Sequence, residues 1–182
     1  MRAQMTAGQD GIRLRAAQPV PTFESMFAAE YAAMVALASA VSGSRAMAED
    51  IAQDAMVRLH RSWSDVSTYE RPGAWLRRVT INLALSHRRR LSSEAKALVG
   101  LGPPPAELPP ASSADEPVWE LVRGLPRRQR AVLALVYLEG HRAEEVGEIL
   151  GISAATVRVH LHRARRTLRV ELEQAEEADR RA

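Results

Sequence analysis

The sequence contains no cysteine, and this absence removes several chemistries at once. Without thiols there is no disulfide framework, no thiolate zinc site and no cysteine nucleophile. The chain also lacks a glycine-rich phosphate loop and a nucleophile elbow, two short motifs that indicate catalysis. We therefore expect a protein that is not an enzyme and that carries neither a metal ion nor a cofactor.

Long apolar runs are also lacking. Residues 1–21 carry three arginines and no hydrophobic centre of the kind found in a secretory signal. No later segment suggests a helix apolar enough to span a bilayer. We expect a cytoplasmic protein without membrane insertion.

The charge of the chain is informative only once it is located. The 182 residues include 46% hydrophobic side chains, enough for one domain or two small ones, and the net charge is only +3. Two stretches, however, each carry at least five arginines and no acidic residue. This segregation points to local surfaces that attract an acidic partner.

The most informative stretch is 141–169. Apolar residues at helical spacing predict a short helix over 142–150 and a second helix after Ser153. Gly151 can adopt the left-handed conformation that follows many helices, and Ser153 is a preferred N-cap. Two amphipathic helices joined by such a turn predict a helix-turn-helix.

The second of these helices has a strongly basic face. From Arg158 to Arg169 there are five arginines and no acidic residue. Guanidinium groups can bond a guanine edge at two points or bind phosphates as permanent cations. The alternative is an ordinary solvated basic face, and the turn that precedes the helix makes DNA binding the favoured interpretation.

The N-terminal half predicts three further helices. They cover about 22–42, 44–63 and, beginning at Pro72, about 72–90, with a loop over 65–72. Phe27 is among the residues expected to face the core. In the C-terminal half a helix beginning at Pro126 is expected to bury Leu138 with its other apolar residues.

The third helix and the loop before it form the second basic stretch. Six arginines and no acidic residue lie between Arg71 and Arg90, next to Tyr69 and Trp75. Aromatic rings beside cations suit single-stranded nucleic acid, because exposed bases stack on rings while phosphates need cations. The alternative, with Trp75 as a core anchor and the arginines merely solvated, is equally weighted for this stretch taken alone.

Prolines mark a linker between the two halves. Five of them fall between residues 103 and 110, and residues 92–116 are net acidic. We therefore predict an all-α fold with two small helical domains joined by a flexible proline-rich linker. The predicted divisions are a flexible lead (1–21), a first helical domain (22–91), the linker (92–116), a helix-turn-helix domain (117–175) and a tail (176–182).

Four stretches, taken in order, resemble a known family. They are AEDIAQDAMVRLHRSW, RPGAWLRRVTINLALSHRRR, LPRRQRAVLALVYLEG and GISAATVRVHLHRARRTL. The chain resembles the bacterial extracytoplasmic-function (ECF) sigma factors, which keep only the domains called sigma-2 and sigma-4. The resemblance implies that the first domain is a sigma-2 helical bundle and the second a sigma-4 helix-turn-helix.

The resemblance also implies a function and partners. A protein of this kind directs core RNA polymerase to specific promoters and initiates transcription. Its partners would be the clamp helices of the largest polymerase subunit, the flap of the second largest, promoter DNA and, as in many relatives, an anti-sigma factor. Such a protein would be cytoplasmic and associated with the nucleoid.

The family's motifs assign roles to residues of this sequence. Docking on core polymerase falls to Glu49, Asp50, Gln53 and Asp54. Recognition and melting of the minus 10 element fall to Tyr69, Arg71, Trp75, Arg78, Asn82, Arg88, Arg89 and Arg90. Recognition of the minus 35 element falls to Arg142, Ser153, Thr156, Arg158, Val159, His162, Arg163, Arg165 and Arg166.

Four positions depart from the family's usual pattern. Ser86 stands where an aspartate is common, Met56 and His60 replace an aromatic pair, and Val159 replaces a small polar residue. These departures bear on base preference and on the details of polymerase contact.

Two other classes of function compete with this interpretation. An enzyme is disfavoured, because His160 and His162 are two apart on a helix and point to different sides. A stand-alone helix-turn-helix regulator is the stronger alternative. It leaves residues 44–90 without a role.

Overall fold

The structure, a computed structural model, describes residues 22–97 and 121–181, with the backbone alone described for 87–97 and 178–179. The lead (1–21) and most of the linker (92–116) lie outside the described residues. In the first half the helices are α1 (Phe23–Ser42), α2 (Arg45–Arg61), α3 (Trp63–Val66) and α4 (Pro72–Ala97). In the second half residues 121–124 are helical, and they are followed by α5 (Arg127–Leu133), a π-helical turn (Ala134–Leu138), α6 (Ala143–Leu150) and α7 (Ala154–Asp179). These two ranges contain no strand, and the predicted all-α class is confirmed.

Local sequence sets most of the helix ends. Thr22 caps α1 by accepting a hydrogen bond from the Ser25 amide, and Ser44 caps α2 in the same way through Met47. Gly43 ends α1 in the left-handed conformation, with φ of 77°. α4 begins at Pro72, as predicted.

Helices α1, α2 and α4 pack against one another as a bundle. The inward face of α2 is the one predicted: it buries Ala48, Ile51, Ala52, Ala55 and Leu59. From α1 and α4 the largest buried side chains are Met34, Leu37, Leu76 and Ile81. In the second half the buried side chains include Val132, Leu135, Val146 and Val157, and they form one cluster with the buried side chains of the first half.

Three expectations about the elements are corrected. α4 continues to Ala97 rather than ending near Arg90, and the short helix Trp63–Val66 extends into the predicted loop over 65–72. Phe27 and Leu138 were expected in the core but are 40% and 48% exposed. Leu138 is the last residue of the π-helical turn, whose wider winding departs from the 3.6-residue spacing on which the expectation was based.

Helix α1 also corrects the expectation about apolar segments. Over 18 residues its mean hydropathy is 1.3, which makes it long and apolar enough by composition to cross a membrane. A buried core helix passes the same test. α1 packs on α2 and α4 and carries Glu24 and Glu30, and these features match a core helix.

The two helical units pack directly against each other, which the sequence did not predict. α4 lies against α6, and the C-terminal half of the chain also contacts α1 through α5 and the π-helical turn. Gly43 is buried at this junction, where an added Cβ would lie 3.2 Å from Nη1 of Arg130. The basic helix α4, part of the surface assigned to DNA, therefore lies against the helix-turn-helix domain.

Candidate nucleic-acid interface

The turn between α6 and α7 has the geometry that the sequence predicts, with one addition. Gly151 has φ of 66°, and the hydroxyl of Ser153 accepts a hydrogen bond from the Thr156 amide at 3.1 Å. The addition is Gly147, whose carbonyl accepts from the Ile152 amide at 3.0 Å. A Cβ at Gly147 would lie only 2.7 Å from the backbone oxygen of Ile152, so the tight turn needs a glycine there.

Helix α7 separates an apolar face from a basic one. Val157, Leu161 and Ala164 are buried against the rest of the domain. The residues assigned to minus 35 DNA on this helix are all exposed: Thr156, Arg158, Val159, His162, Arg163, Arg165 and Arg166. Arg142 and Ser153 are exposed as well, at the starts of α6 and α7. The arrangement presents a row of cations and hydrogen-bonding groups to solvent.

Two of these arginines are oriented by neighbours in the same domain. Arg158 pairs with Glu144 of α6, and Nε of Arg165 donates to the Tyr137 hydroxyl at 2.7 Å. The Arg165 guanidinium also lies 5.6 Å from the centre of the Tyr137 ring. Because the Arg158 pair is more than half exposed, it holds the side chain only weakly, and a phosphate can replace the carboxylate.

The start of α6 is fixed by a charged cap. The amide of Arg142 donates to Oε2 of Glu145 at 2.9 Å. This backbone hydrogen bond, with help from the charges of His141, Arg71 and Arg142, lowers the pKa of Glu145 below its usual value. The cap satisfies a backbone amide at the N-terminus of the first helix of the helix-turn-helix.

The minus 10 assignments come together around a surface cavity of about 450 Å³. Its lining includes four of them, namely Tyr69, Arg71, Trp75 and Arg78. Tyr69 is 48% exposed, and Asn82 is exposed one helical turn beyond Arg78. For Arg88, Arg89 and Arg90 the side chains lie outside the described residues. An aromatic ring beside two guanidinium groups can stack on a base and bind its phosphate.

The same cavity is partly closed by the helix-turn-helix domain. Nη1 of Arg71 lies 3.1 Å from Oε2 of Glu148 on α6. Arg78 donates to the backbone oxygens of Ile149, at 2.7 Å, and Glu148. These are carbonyls at the end of α6 that have no partner within the helix, so the arginine acts as a C-terminal cap supplied by the other domain.

The residues assigned to polymerase docking form one exposed acidic face on α2. Glu49, Asp50, Gln53 and Asp54 are all exposed, and none of the three acids forms an ion pair with another residue in the described part of the chain. Uncompensated charge on a helix face attracts a basic partner.

An apolar cleft next to this acidic face was missed by the sequence reasoning. It measures about 340 Å³ and is lined by Phe23, Phe27, Gln53, Met56, Val57, His60 and Arg61. Phe27 and Val57 are 40% and 47% exposed. Val57 could have been found from the sequence, because it falls outside the apolar stripe of α2 while its neighbour Met56 falls within it.

Two of the departures from the family pattern belong to this region. Met56 is 3% exposed and fills the core. The His60 ring packs edge-on against Phe23, with centroids 4.8 Å apart. Elsewhere, Val159 is 47% exposed on the basic face, and the Ser86 hydroxyl donates to the backbone oxygen of Asn82 at 2.8 Å. Ser86 thus carries no negative charge beside the minus 10 residues.

The fold and surfaces define a two-domain helical protein with a helix-turn-helix and a second basic surface, and comparison with known proteins identifies its class. Residues 26–94 match the family model "Sigma-70 region 2" and residues 115–168 match "Sigma-70, region 4". The chain is 34% identical over 134 residues to the RNA polymerase sigma-E factor of Streptomyces avermitilis, covering 69% of this chain and 71% of that protein. The chain belongs to the sigma-70 family of RNA polymerase sigma factors, in its ECF group.

Other relatives differ in length. The probable RNA polymerase sigma factor RfaY of Xanthomonas campestris is 38% identical over 152 residues, which cover 76% of this chain but only 37% of that protein. The ECF sigma factor SigE of Mycolicibacterium smegmatis is matched over 54% of its length. This chain therefore spans about a third to a half of these two relatives.

A solved structure supports the fold. The sigma factor RpoE of Bartonella quintana, determined in complex with the anti-sigma factor NepR, superposes with a TM-score of 0.69. The alignment has 24% identity and covers 83% of this chain and 96% of that one.

Sigma factors in general are not enzymes.

Proposed function

We propose that this chain directs core RNA polymerase to specific promoters and initiates transcription there. The observation that carries the proposal is the presence of two basic surfaces on two different domains, each with a chemistry suited to a different form of DNA. On α7 exposed arginines follow a capped helix-turn-helix turn, which suits the major groove of a duplex. Around Trp75 rings and guanidinium groups line a cavity, which suits unpaired bases.

The surface on α7 would read the minus 35 element. Arg163 and His162 point into solvent midway along the exposed face, so we assign them to base edges. Arg142, at the start of α6, and Thr156 and Arg166, on α7, are also exposed and are assigned to phosphates. The whole minus 35 assignment is a proposal of this kind.

The cavity near Trp75 would hold the melted minus 10 strand. Tyr69 and Trp75 would stack on exposed bases, while Arg71 and Arg78 would bind the backbone. Asn82 and the arginines at 88–90 extend the same basic helix along the strand.

Docking on core polymerase would use the acidic face of α2 together with the cleft beside it. The acids Glu49, Asp50 and Asp54 would steer and orient the approach to a basic partner, the proposed clamp helices. The exposed rings and Val57 in the cleft would supply apolar contact area. The flap and an anti-sigma factor are further proposed partners, and the chain itself would be non-enzymatic and cytoplasmic at the nucleoid.

The test is reconstituted transcription with purified core polymerase on a library of randomised promoters. We expect promoter-dependent run-off transcripts only when the chain is added, and the selected sequences would define both elements. Absence of any transcript, together with a site-specific gel shift by the isolated chain, would instead support a stand-alone regulator. That alternative is favoured by the helix-turn-helix alone, and it gives the acidic face of α2 no role.

A further inference from the structure

A buried ion-pair cluster joins the two domains. Arg77 of α4 is only 13% exposed, and its Nε lies 2.6 Å from Oε2 of Glu139, which follows the π-helical turn of the other domain. The same guanidinium contacts Glu30 of α1 at 2.9 Å through Nη2. Burial disfavours the charge on Arg77, but Glu139 and Glu30 more than compensate, and the pKa of Arg77 is raised.

Further polar contacts near α4 also join the two domains. Arg71 and Arg78, on either side of Arg77, both bind α6. Arg127 of α5 reaches the other way and donates to the backbone oxygen of Leu85 at 3.1 Å. The polar contacts at this interface are therefore made largely by the basic helix that we assign to the minus 10 strand.

We propose that the ion pair between Arg77 and Glu139, the latch, holds the two domains in a closed state. In this state the helix-turn-helix domain contacts arginines that we assign to single-stranded DNA. In this state the chain is autoinhibited, because Arg78 cannot bind a phosphate while it caps the end of α6, and the exposed Arg71–Glu148 pair adds only weakly to this block. Opening of the latch exposes the cavity near Trp75. The autoinhibition rests on the proposed function, whereas the closed state itself can be tested without it.

The chemistry of the cluster makes the latch releasable. The Glu139 side chain is 8% exposed, and its second oxygen, Oε1, is buried without a hydrogen-bond partner among the described residues. A buried ion pair gains little net free energy when its groups are incompletely hydrogen-bonded, since opening returns them to water. A partner that binds the open state can therefore shift the population toward it.

The closed state can be measured in the isolated full-length chain. Because the sequence has no cysteine, Ser64→Cys on α3 and Gln174→Cys on α7 give two unique sites for spin labels. Both positions are exposed and lie outside the proposed binding surfaces. Pulsed electron-spin resonance then reports the distance between the two labels. With the interface unaltered, we expect a single narrow distribution of short label-to-label distances.

The test variant is Glu139→Arg, which places a second positive charge against Arg77. We expect it to lengthen and broaden the distribution of label-to-label distances. Glu30→Gln is the matched control, because it removes a carboxylate from the same guanidinium within one domain and leaves the link between domains in place. The triple variant Glu30→Arg, Arg77→Glu, Glu139→Arg reverses the charges of these three residues and should restore the short distance. Glu139→Gln provides a milder opening variant if the reversed charge impairs folding, which circular dichroism would show.

Transcription with core polymerase gives the functional readout. In a two-state equilibrium the apparent affinity of the chain for promoter DNA in the polymerase complex scales with the fraction of chains in the open state. The opened variant should therefore reach half-maximal run-off at a chain concentration about threefold to tenfold lower. Short distances in every variant, or equal distances for the Glu139 and Glu30 variants, would overturn the latch even if transcription is normal. Opening by Glu139→Arg without transcription from any variant would support the latch and reject the proposed function.

Discussion

At the scale of single residues, the basic face of α7 permits a sharp test of base reading. Arg163 is exposed in the middle of that face, and Arg166 lies one turn further along. We expect Arg163→Ala to weaken binding of the holoenzyme to the matched minus 35 element by about 1–3 kcal/mol, the range for a lost bidentate base contact. Competition between matched and scrambled promoters measures the effect, with Arg166→Ala as the control for phosphate contact. Equal weakening on both DNAs would reassign Arg163 to the backbone.

Gly147 permits a second test at this scale. An added methyl group would lie 2.7 Å from the Ile152 carbonyl oxygen, which belongs to the backbone of the turn and has little freedom to move. We expect Gly147→Ala to destabilise the chain by about 1–3 kcal/mol, as overpacking in a tight site does. Urea unfolding followed by circular dichroism measures the loss. Gly124→Ala is the matched control, because a Cβ there would have no heavy atom within 4 Å, and an equal loss in that variant would refute the steric argument.

At the scale of elements, the predictions that succeeded depend on neighbours in sequence. Ser153 caps α7 as predicted, with a hydrogen bond that spans three residues, and Thr22 and Ser44 cap α1 and α2 in the same way. The predictions that failed depend on packing. The π-helical turn that exposes Leu138 leaves no mark in the apolar spacing, and the Arg77–Glu139 pair joins residues 62 apart in sequence. The spacing of apolar residues in the sequence predicts which face of a helix is buried. It does not predict which other element will contact the polar face.

The cap of α6 links the stability of this element to pH. The pKa of Glu145 is lowered in the folded chain, so its carboxylate contributes stability that is present above its unfolded pKa, near the usual 4.5, and is lost as the pH falls through the lower folded value. We expect Glu145→Gln to be less stable than the unaltered chain at pH 7 and equally stable once both carry a neutral side chain in acid. Thermal unfolding across pH 2–7, a range set around carboxyl titration, measures the difference. Glu171→Gln, on the exposed part of α7, controls for net charge, and a constant difference at all pH values would contradict the assignment.

At the scale of the whole molecule, the position of charge explains more than its total. A net charge of +3 conceals an acidic face on α2, a basic helix α4 and a basic face on α7. Sequence reasoning located all three, because each is continuous in the chain. It did not foresee that α4 would turn its cations toward α6. That arrangement depends on contacts between residues far apart in sequence, and it makes the availability of the proposed minus 10 surface depend on the relative position of the domains.

The acidic face and its apolar cleft should contribute to polymerase docking in different ways. Long-range charge attraction accelerates encounter and is screened by salt, whereas apolar contact forms after encounter and slows dissociation. We expect Asp50→Asn with Asp54→Asn to lower the association rate with core polymerase at low salt, with the difference from the unaltered chain shrinking as salt is raised. Phe27→Ser with Val57→Ser should instead raise the dissociation rate at every salt concentration, since both side chains are exposed in the cleft. Stopped-flow fluorescence with labelled chain separates the two rates, and Glu171→Gln with Glu173→Gln on α7 removes equal charge away from α2. If that control slows association as much as the α2 variant does, net charge rather than a docking face governs the encounter.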